Sequence, residues 1–375
     1  MKLAFCLFKY FPFGGLQRDF LRIAKECVRR GHAVDVYTME WEGDVDPELS
    51  VKVIATRGWQ NHTRSRNFVA KVQAGLAKQR YDLVIGFNKM PGLDIYYAAD
   101  SCFQAKARTQ HGVWYRLMSR YRHLTGYESA VFEKKMNTQI LLISAAEQTE
   151  FMRYYHTAPT RFHLLPPGIA KDRIAPANAD KLRLAVRHAH HIEDNAFLLL
   201  LVGSGFKTKG LDRALLSLVA LPEHLKKRTK LYVIGQDNPR IFQQQARQLN
   251  IAANITFLGG RDDVPQLMLA ADLLLHPAYR ENTGTVLLEA VIAGLPVLTT
   301  DVCGYAHYIH QAKAGVILSS PFQQQEFNQT LMDMLSSPER STWHHNGLAF
   351  AKNADIYSMP ERAVDVIELL GRKTC

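Results

Sequence analysis

Short apolar runs followed by glycine-containing turns and amphipathic stretches recur along the chain, and they divide it into two halves that begin alike. In the first half, residues 3–8 read as a strand, Gly14 and Gly15 as a turn, Leu16 to Arg30 as a helix stopped by Gly31, and residues 33–38 as a second strand. The second half repeats the order with a strand over 197–202, a turn containing Gly203, Gly205 and Gly210, a helix from Leu211, and a strand over 231–234. Further short strands are expected at 83–87, 140–143, 256–258, 273–275 and 297–300. A strand, a glycine turn, a helix and a second strand make the opening unit of a doubly wound parallel sheet, so the pattern predicts an α/β chain of two Rossmann-like domains facing a cleft. Pro166, Pro167 and Gly168 form the candidate hinge. The expected division is 1–167 and 168–354, with a C-terminal helix within 355–375 packing back on the first domain.

The most informative local pattern runs from His276 to Glu289. It ends a strand at Leu275, passes Glu281 and Gly284, and continues from Thr285 as a buried-helix pattern closed by Gly294 and Pro296. Unpaired N–H groups at such a helix start can hold phosphate. Glu281 falls in the loop before the helix and Glu289 inside it, so one carboxylate can meet a sugar and the other a ribose. The turn at 203–210 resembles a dinucleotide fingerprint only superficially. Lys207 occupies the third glycine position, and Asp237 lies too far along to be the ribose acid, which excludes a dehydrogenase. Asp44-Val45-Asp46, the sole Asp-x-Asp, precedes Pro47 in an acidic loop and reads as a turn. His344 and His345 are adjacent, so they are not a helix-spaced ligand pair and read as surface residues.

Composition narrows the partners. With 47% hydrophobic and 22% charged residues the chain is globular, and its net charge of +11 favours anionic ligands. Five scattered cysteines without a CxxC pair point to a reducing compartment and away from zinc. No run reads as a signal peptide or a membrane span. Charge alone suggests nucleic acid, but no nucleic-acid-binding signature occurs, and none is expected as a partner.

Several segments together resemble the two-domain retaining glycosyltransferases of family 4, with the GT-B fold, and within them the enzymes that glucosylate the lipopolysaccharide core. They are Lys9 to Phe20, Gly86 to Asp94, Ser119 to His123, Leu165 to Ile169, Asp301 to Tyr308 and the Glu281 to Glu289 stretch. The resemblance implies transfer of a hexose, glucose first, from a UDP-sugar to an inner-core heptose. It places the Gly15 amide on the donor diphosphate, Arg173 and Lys209 on the pyrophosphate, and Glu281 on the hexose hydroxyls. Gly284 and Thr285 would give amides to phosphate, Glu289 would hold the ribose, and Asp263 and Val264 would lie near uracil. Asp19 falls on the acceptor side and Asp100 near the donor hexose, so the catalytic candidates are Asp19, Asp100 and Glu281. Thr208 stands where a second phosphate-binding arginine is expected, and Asn282-Thr283 where two alanines are. These departures keep UDP-N-acetylgalactosamine open as an alternative donor, and a UDP-sugar epimerase is the more remote alternative. No cofactor and no metal are expected.

Between Asp100 and Glu128 the chain has no acid. Lys106, Arg108, Arg116, Arg120 and Arg122 are interleaved with aromatics there. A single helix through this segment would carry Trp114, Leu117, Met118, Tyr121 and Leu124 on one face and Arg116, Arg120 and His123 on the other. The expectation is an interfacial helix on anionic lipid, making the protein peripheral on the cytoplasmic face of the inner membrane.

Overall fold

A computed structural model of the chain describes residues 1–372 except Phe13, Trp59 and His111. The chain divides into two compact units, one formed by residues 1–168 with the C-terminal stretch from Tyr357, the other by Ile169–Ile356. Each carries its own parallel sheet.

In the first unit the strands are β1 (Lys2–Tyr10), β2 (Ala33–Trp41), β3 (Ser50–Val53), β4 (Leu83–Gly86), β5 (Ile95–Ala98), β6 (Gln139–Leu142) and β7 (Phe162–Leu164), in spatial order β3-β2-β1-β4-β5-β6-β7. β1 is covered on both faces. Leu3, Phe5 and Leu7 enter one core cluster and Ala4 and Cys6 another, which is why the strand is an unbroken apolar run rather than an alternating one. Phe20, Ile23, Ala24 and Cys27 on the helix Gly15–Arg29 join the first cluster together with Ala363, Val364 and Ile367 of the last helix, Met359–Gly371. That contact is reinforced where Arg30 donates to Asp365 at 2.7 Å.

The second unit contains β8 (Phe197–Val202), β9 (Thr229–Ile234), β10 (Ile255–Gly259), β11 (Leu273–His276), β12 (Val297–Thr300) and β13 (Gly315–Leu318), ordered β10-β9-β8-β11-β12-β13. Every residue of β8 is buried. Both sheets are doubly wound, as the apolar pattern predicts. Strand order reverses between β1 and β4 in one and between β8 and β11 in the other, and in such sheets ligands bind beyond the carboxyl ends of the strands at the reversal. In the second unit this puts the loops after Val202 and His276 side by side.

Candidate functional site

The loop after β8 is held against the loop after β11 by close backbone approach. Gly210, at φ 78°, lies so near the Pro277 carbonyl that a Cβ there would be 1.9 Å from its oxygen. Tyr279 N–H donates to Thr208 O at 2.9 Å. Arg213 donates to Pro277 O and Ala278 O, its guanidinium sandwiched between the rings of Tyr279 (3.6 Å) and Phe322 (3.7 Å). The two lysines of the glycine loop then part. Lys207 is exposed and bound to Asp212 at 2.5 Å, whereas Lys209 turns inward and pairs with Glu281 Oε2. Burial lowers the Lys209 pKa.

Glu281 is fixed by its backbone as well. It forms an isolated parallel bridge with Cys303, and Tyr305 N–H donates to Thr283 O at 2.7 Å, so the Asp301 to Tyr308 segment braces the Glu281 to Gly284 turn. Asn282 and Thr283 are half-buried in that turn. Gly284 adopts φ 82°, a left-handed conformation that favours glycine, and starts the helix Thr285–Ile292. Glu289 lies in that helix, half-buried. His276, the last residue of β11, is fully buried with Nε2 3.4 Å from Glu281 Oε2. Lys209, Glu281 and His276 therefore form one cluster at the point where strand order reverses. Sequence reasoning passed over His276. Its signal was a polar residue ending the otherwise apolar run Leu273 to Leu275.

Arg173 and Asp263 come together elsewhere in the second unit, lining a cavity of about 270 Å³ with Asp172, Asp262 and Gln266. Asp263 is held by Arg261 at 2.5 and 2.6 Å, which lowers its pKa. It immediately precedes the helix that Val264 begins, its carboxylate turned to Arg261 rather than to the helix amides.

In the first unit, Gly15 is the first residue of the helix Gly15–Arg29, and a Cβ there would meet nothing within 4 Å. Asp19 is not a first-turn helix acid, because it sits beyond that turn. It accepts a hydrogen bond from Tyr97 of β5 at 2.8 Å, and burial pushes its carboxyl up to about 6 against the lowering effect of Tyr97, Arg22 and Arg18. Asp100 is exposed in the bend after β5. Asp46 pairs with Lys25 at 2.7 Å and accepts the Glu48 N–H, a turn as read from sequence.

Two expectations need correction. The basic segment is not one amphipathic helix. Helix Phe103–Gln110 carries Lys106 and Arg108, a 3-10 turn covers Val113–Leu117, and a new helix, Ser119–Phe132, starts after Met118 adopts extended geometry. His123, expected on the basic face, is buried, and burial lowers its pKa. Trp114, Leu117 and Met118 are 83%, 61% and 54% exposed, with Arg116, Arg120 and Arg122 exposed around them and Tyr121 half-buried beside Phe103 and Tyr115. Helical spacing misassigned the faces because the backbone changes conformation at Gly112 and Met118. His111 lies outside the described residues. The second correction concerns His344, which is half-buried and hydrogen-bonds Gly294 O at 2.7 Å; His345 is exposed.

Glu128, the acid that closes the acid-free stretch, is the structural surprise. Its carboxylate has no exposure and accepts from Lys89 Nζ (2.5 Å), Phe103 N (2.8 Å), Gln104 N (2.9 Å) and Tyr155 OH (2.6 Å), capping the helix that opens the basic segment. Among the described residues no helix is long and apolar enough to cross a membrane.

A family model described as glycosyl transferases group 1 matches residues 183–348, and one described as glycosyltransferase family 4 matches residues 13–173. The lipopolysaccharide glucosyltransferase WaaG of Escherichia coli (strain K12) is 48% identical over 98% of both chains. A D-inositol 3-phosphate glycosyltransferase of Stackebrandtia nassauensis is 24% identical over 81% of this chain and 75% of its own. Among solved structures, a crystal structure of WaaG superposes with a TM-score of 0.92 at 47% identity, covering 97% of this chain and 99% of that one. Anabaena HepE in complex with UDP and glucose superposes with a TM-score of 0.77 at 19% identity over 98% and 100% of the chains, a likeness of fold.

Proposed function

We propose that this chain, which belongs to glycosyltransferase family 4, moves glucose from UDP-glucose to an inner-core heptose of lipopolysaccharide with retention and without a metal. The observation that carries the reading is the Lys209–Glu281 pair, set between the loops where strand order reverses in the second sheet. Similarity to WaaG along nearly the whole chain supports the glucosyl donor and the lipopolysaccharide acceptor.

In the reaction the bond from C1 of the hexose to the β-phosphate oxygen breaks, a bond from the acceptor oxygen to C1 forms, and the departing UDP takes the acceptor proton. Negative charge grows on the β-phosphate. Lys209, Arg173 and the helix start at Gly284 and Thr285 are the groups of the second unit that we assign to stabilise it by preorganised electrostatics. Glu281 holds hexose hydroxyls, Glu289 the ribose, and Asp263 and Val264 lie toward the uracil. Thr208, Asn282 and Thr283 border the donor. Asp19 and Asp100 orient the acceptor and the hexose, and transfer proceeds on the front face of C1. Retaining hydrolysis uses two carboxylates that flank C1, one of them a nucleophile, whereas in this assignment every acid has a holding or orienting role and none attacks C1.

Exposed Trp114, Leu117 and Met118, with exposed Arg116, Arg120 and Arg122 beside them in sequence, support our further assignment of the enzyme to an anionic membrane surface, the cytoplasmic face of the inner membrane. Replacing Arg116, Arg120 and Arg122 together should weaken binding to anionic vesicles by on the order of 100-fold, at about 1 kcal/mol per basic residue. Unchanged binding would remove the membrane assignment. The functional test is a panel of UDP-hexoses against heptose-terminated lipopolysaccharide, with EDTA present and absent and product mass and linkage read. One α-linked glucose added in both arms is expected. A different hexose, a changed sugar nucleotide without acceptor, or loss of turnover in EDTA would each overturn the corresponding part.

A further inference from the structure

The geometry points to His276 as a positioning residue that fixes Glu281 through a hydrogen bond from Nε2 and leaves the other carboxylate oxygen for a donor-sugar hydroxyl. This rests on the reading of Glu281 as the residue that holds the hexose.

The proton on the ring follows from what surrounds it. His276 is fully buried at the end of β11, and desolvation together with the neighbouring Lys209 charge pushes its pKa down to about 3, so the imidazole is neutral and has a single N–H. Nδ1 is buried and meets no hydrogen-bond partner among the described residues. With the proton on Nδ1, a donor would be stranded in the core and the Nε2 lone pair would face a carboxylate at 3.4 Å. With the proton on Nε2, Glu281 gains a donor. Lys209 contacts the same oxygen, Oε2, so both protein donors act on one side of the carboxylate, and neither takes Oε1. The bridge to Cys303 restrains the Glu281 backbone.

A purely structural histidine is a poor explanation. The three preceding residues, Leu273 to Leu275, are buried leucines, and a buried imidazole with an unpaired nitrogen packs no better than an apolar ring while carrying a desolvation cost. Such a cost is characteristic of a functional position. The neutral ring also orients Glu281 without adding a second positive charge beside Lys209.

The test compares His276→Phe, His276→Gln and His276→Asn in the full chain. A glutamine amide reaches about as far as Nε2, whereas an asparagine amide reaches about as far as Nδ1. The Phe variant should keep wild-type thermal stability and bind UDP within about 2-fold, while kcat/KM for the UDP-hexose falls roughly 10–100-fold, the size of effect produced by a misplaced contact. Gln should restore most of that loss and Asn should not. Equal kcat/KM in the Gln and Asn variants, or a parallel loss of UDP affinity and hexose transfer in Phe, overturns the inference. Should Phe fail to fold, the Gln and Asn pair decides it alone. A wild-type protein that transfers hexose from no UDP-hexose overturns the underlying functional reading instead, so the two failures are separable.

Discussion

Among the described residues, each unit holds an inward-facing lysine–glutamate pair, Lys89–Glu128 with a fully buried carboxylate and Lys209–Glu281 with a half-buried one, and they differ in how completely the carboxylate is used. Glu128 meets Lys89, two backbone N–H groups and the Tyr155 hydroxyl, while Lys89 also donates to Ser101 O at 3.0 Å. Both oxygens are engaged by the protein itself. Glu281 meets Lys209 and His276 on one oxygen only, in a turn that lies at the ligand-binding end of its sheet. A buried ion pair is tolerated when its hydrogen bonds are complete, and Glu128 then serves as scaffold. A half-buried carboxylate with one oxygen left open, at the carboxyl end of a doubly wound sheet, is available to a ligand. The same residue types thus do opposite work, and burial together with the number of partners separates them.

The comparison breaks first at Glu128. Glu128→Ala leaves Lys89 buried and uncompensated and removes the cap of the helix Phe103–Gln110, so chemical denaturation should show a loss of about 3–5 kcal/mol. A loss below about 1 kcal/mol would mean that Glu128 is not scaffold. Asp19 offers an intermediate case, with one hydroxyl donor and nearby arginines that do not overcome burial. Its pKa is about 6 in the fold and near 3.8 in the unfolded chain, so folding favours the protonated form. The associated stability is fully present below about pH 4 and is lost as pH rises through 6. Asp19→Asn keeps the acceptor for Tyr97 and should raise stability at pH 7.5 by on the order of 2 kcal/mol, with the gain vanishing by pH 4. If ionised Asp19 orients the acceptor, the wild-type rate should also show an acid limb near pH 6 that the variant lacks. A pH-independent difference in stability would remove the burial argument.

Much of this architecture is written in burial. Strands covered on both faces, such as β1, β8 and β11, appear as unbroken apolar runs and are legible without a structure. Ser50–Val53 and Phe162–Leu164 are short edge strands with polar residues, and Ile95–Ala98 and Gly315–Leu318 are equally brief, so none of the four stands out from its surroundings. Lys209 and Glu281 carry a local signature, a glycine loop and a glycine helix start. His276 carries only a faint one, a polar residue ending an apolar run, and Cys303 carries none, since its place beside Glu281 arises from a bridge between distant segments. Glu128 was invisible for the same reason. Its partners Lys89, Phe103 and Tyr155 are brought together only by tertiary packing. The basic segment shows the opposite error, in which helical periodicity was extended through a backbone that changes conformation twice.

The claim that Glu281 is kept for the sugar is tested most directly by titrating UDP and UDP-glucose separately into the wild type and Glu281→Ala by calorimetry. Affinity for UDP should stay within about 3-fold of wild type, while affinity for UDP-glucose should fall by about 10-fold or more, the cost of one charge-assisted hydrogen-bonding group. Equal losses for the two ligands would contradict the account, because they would place Glu281 on the nucleotide rather than on the hexose.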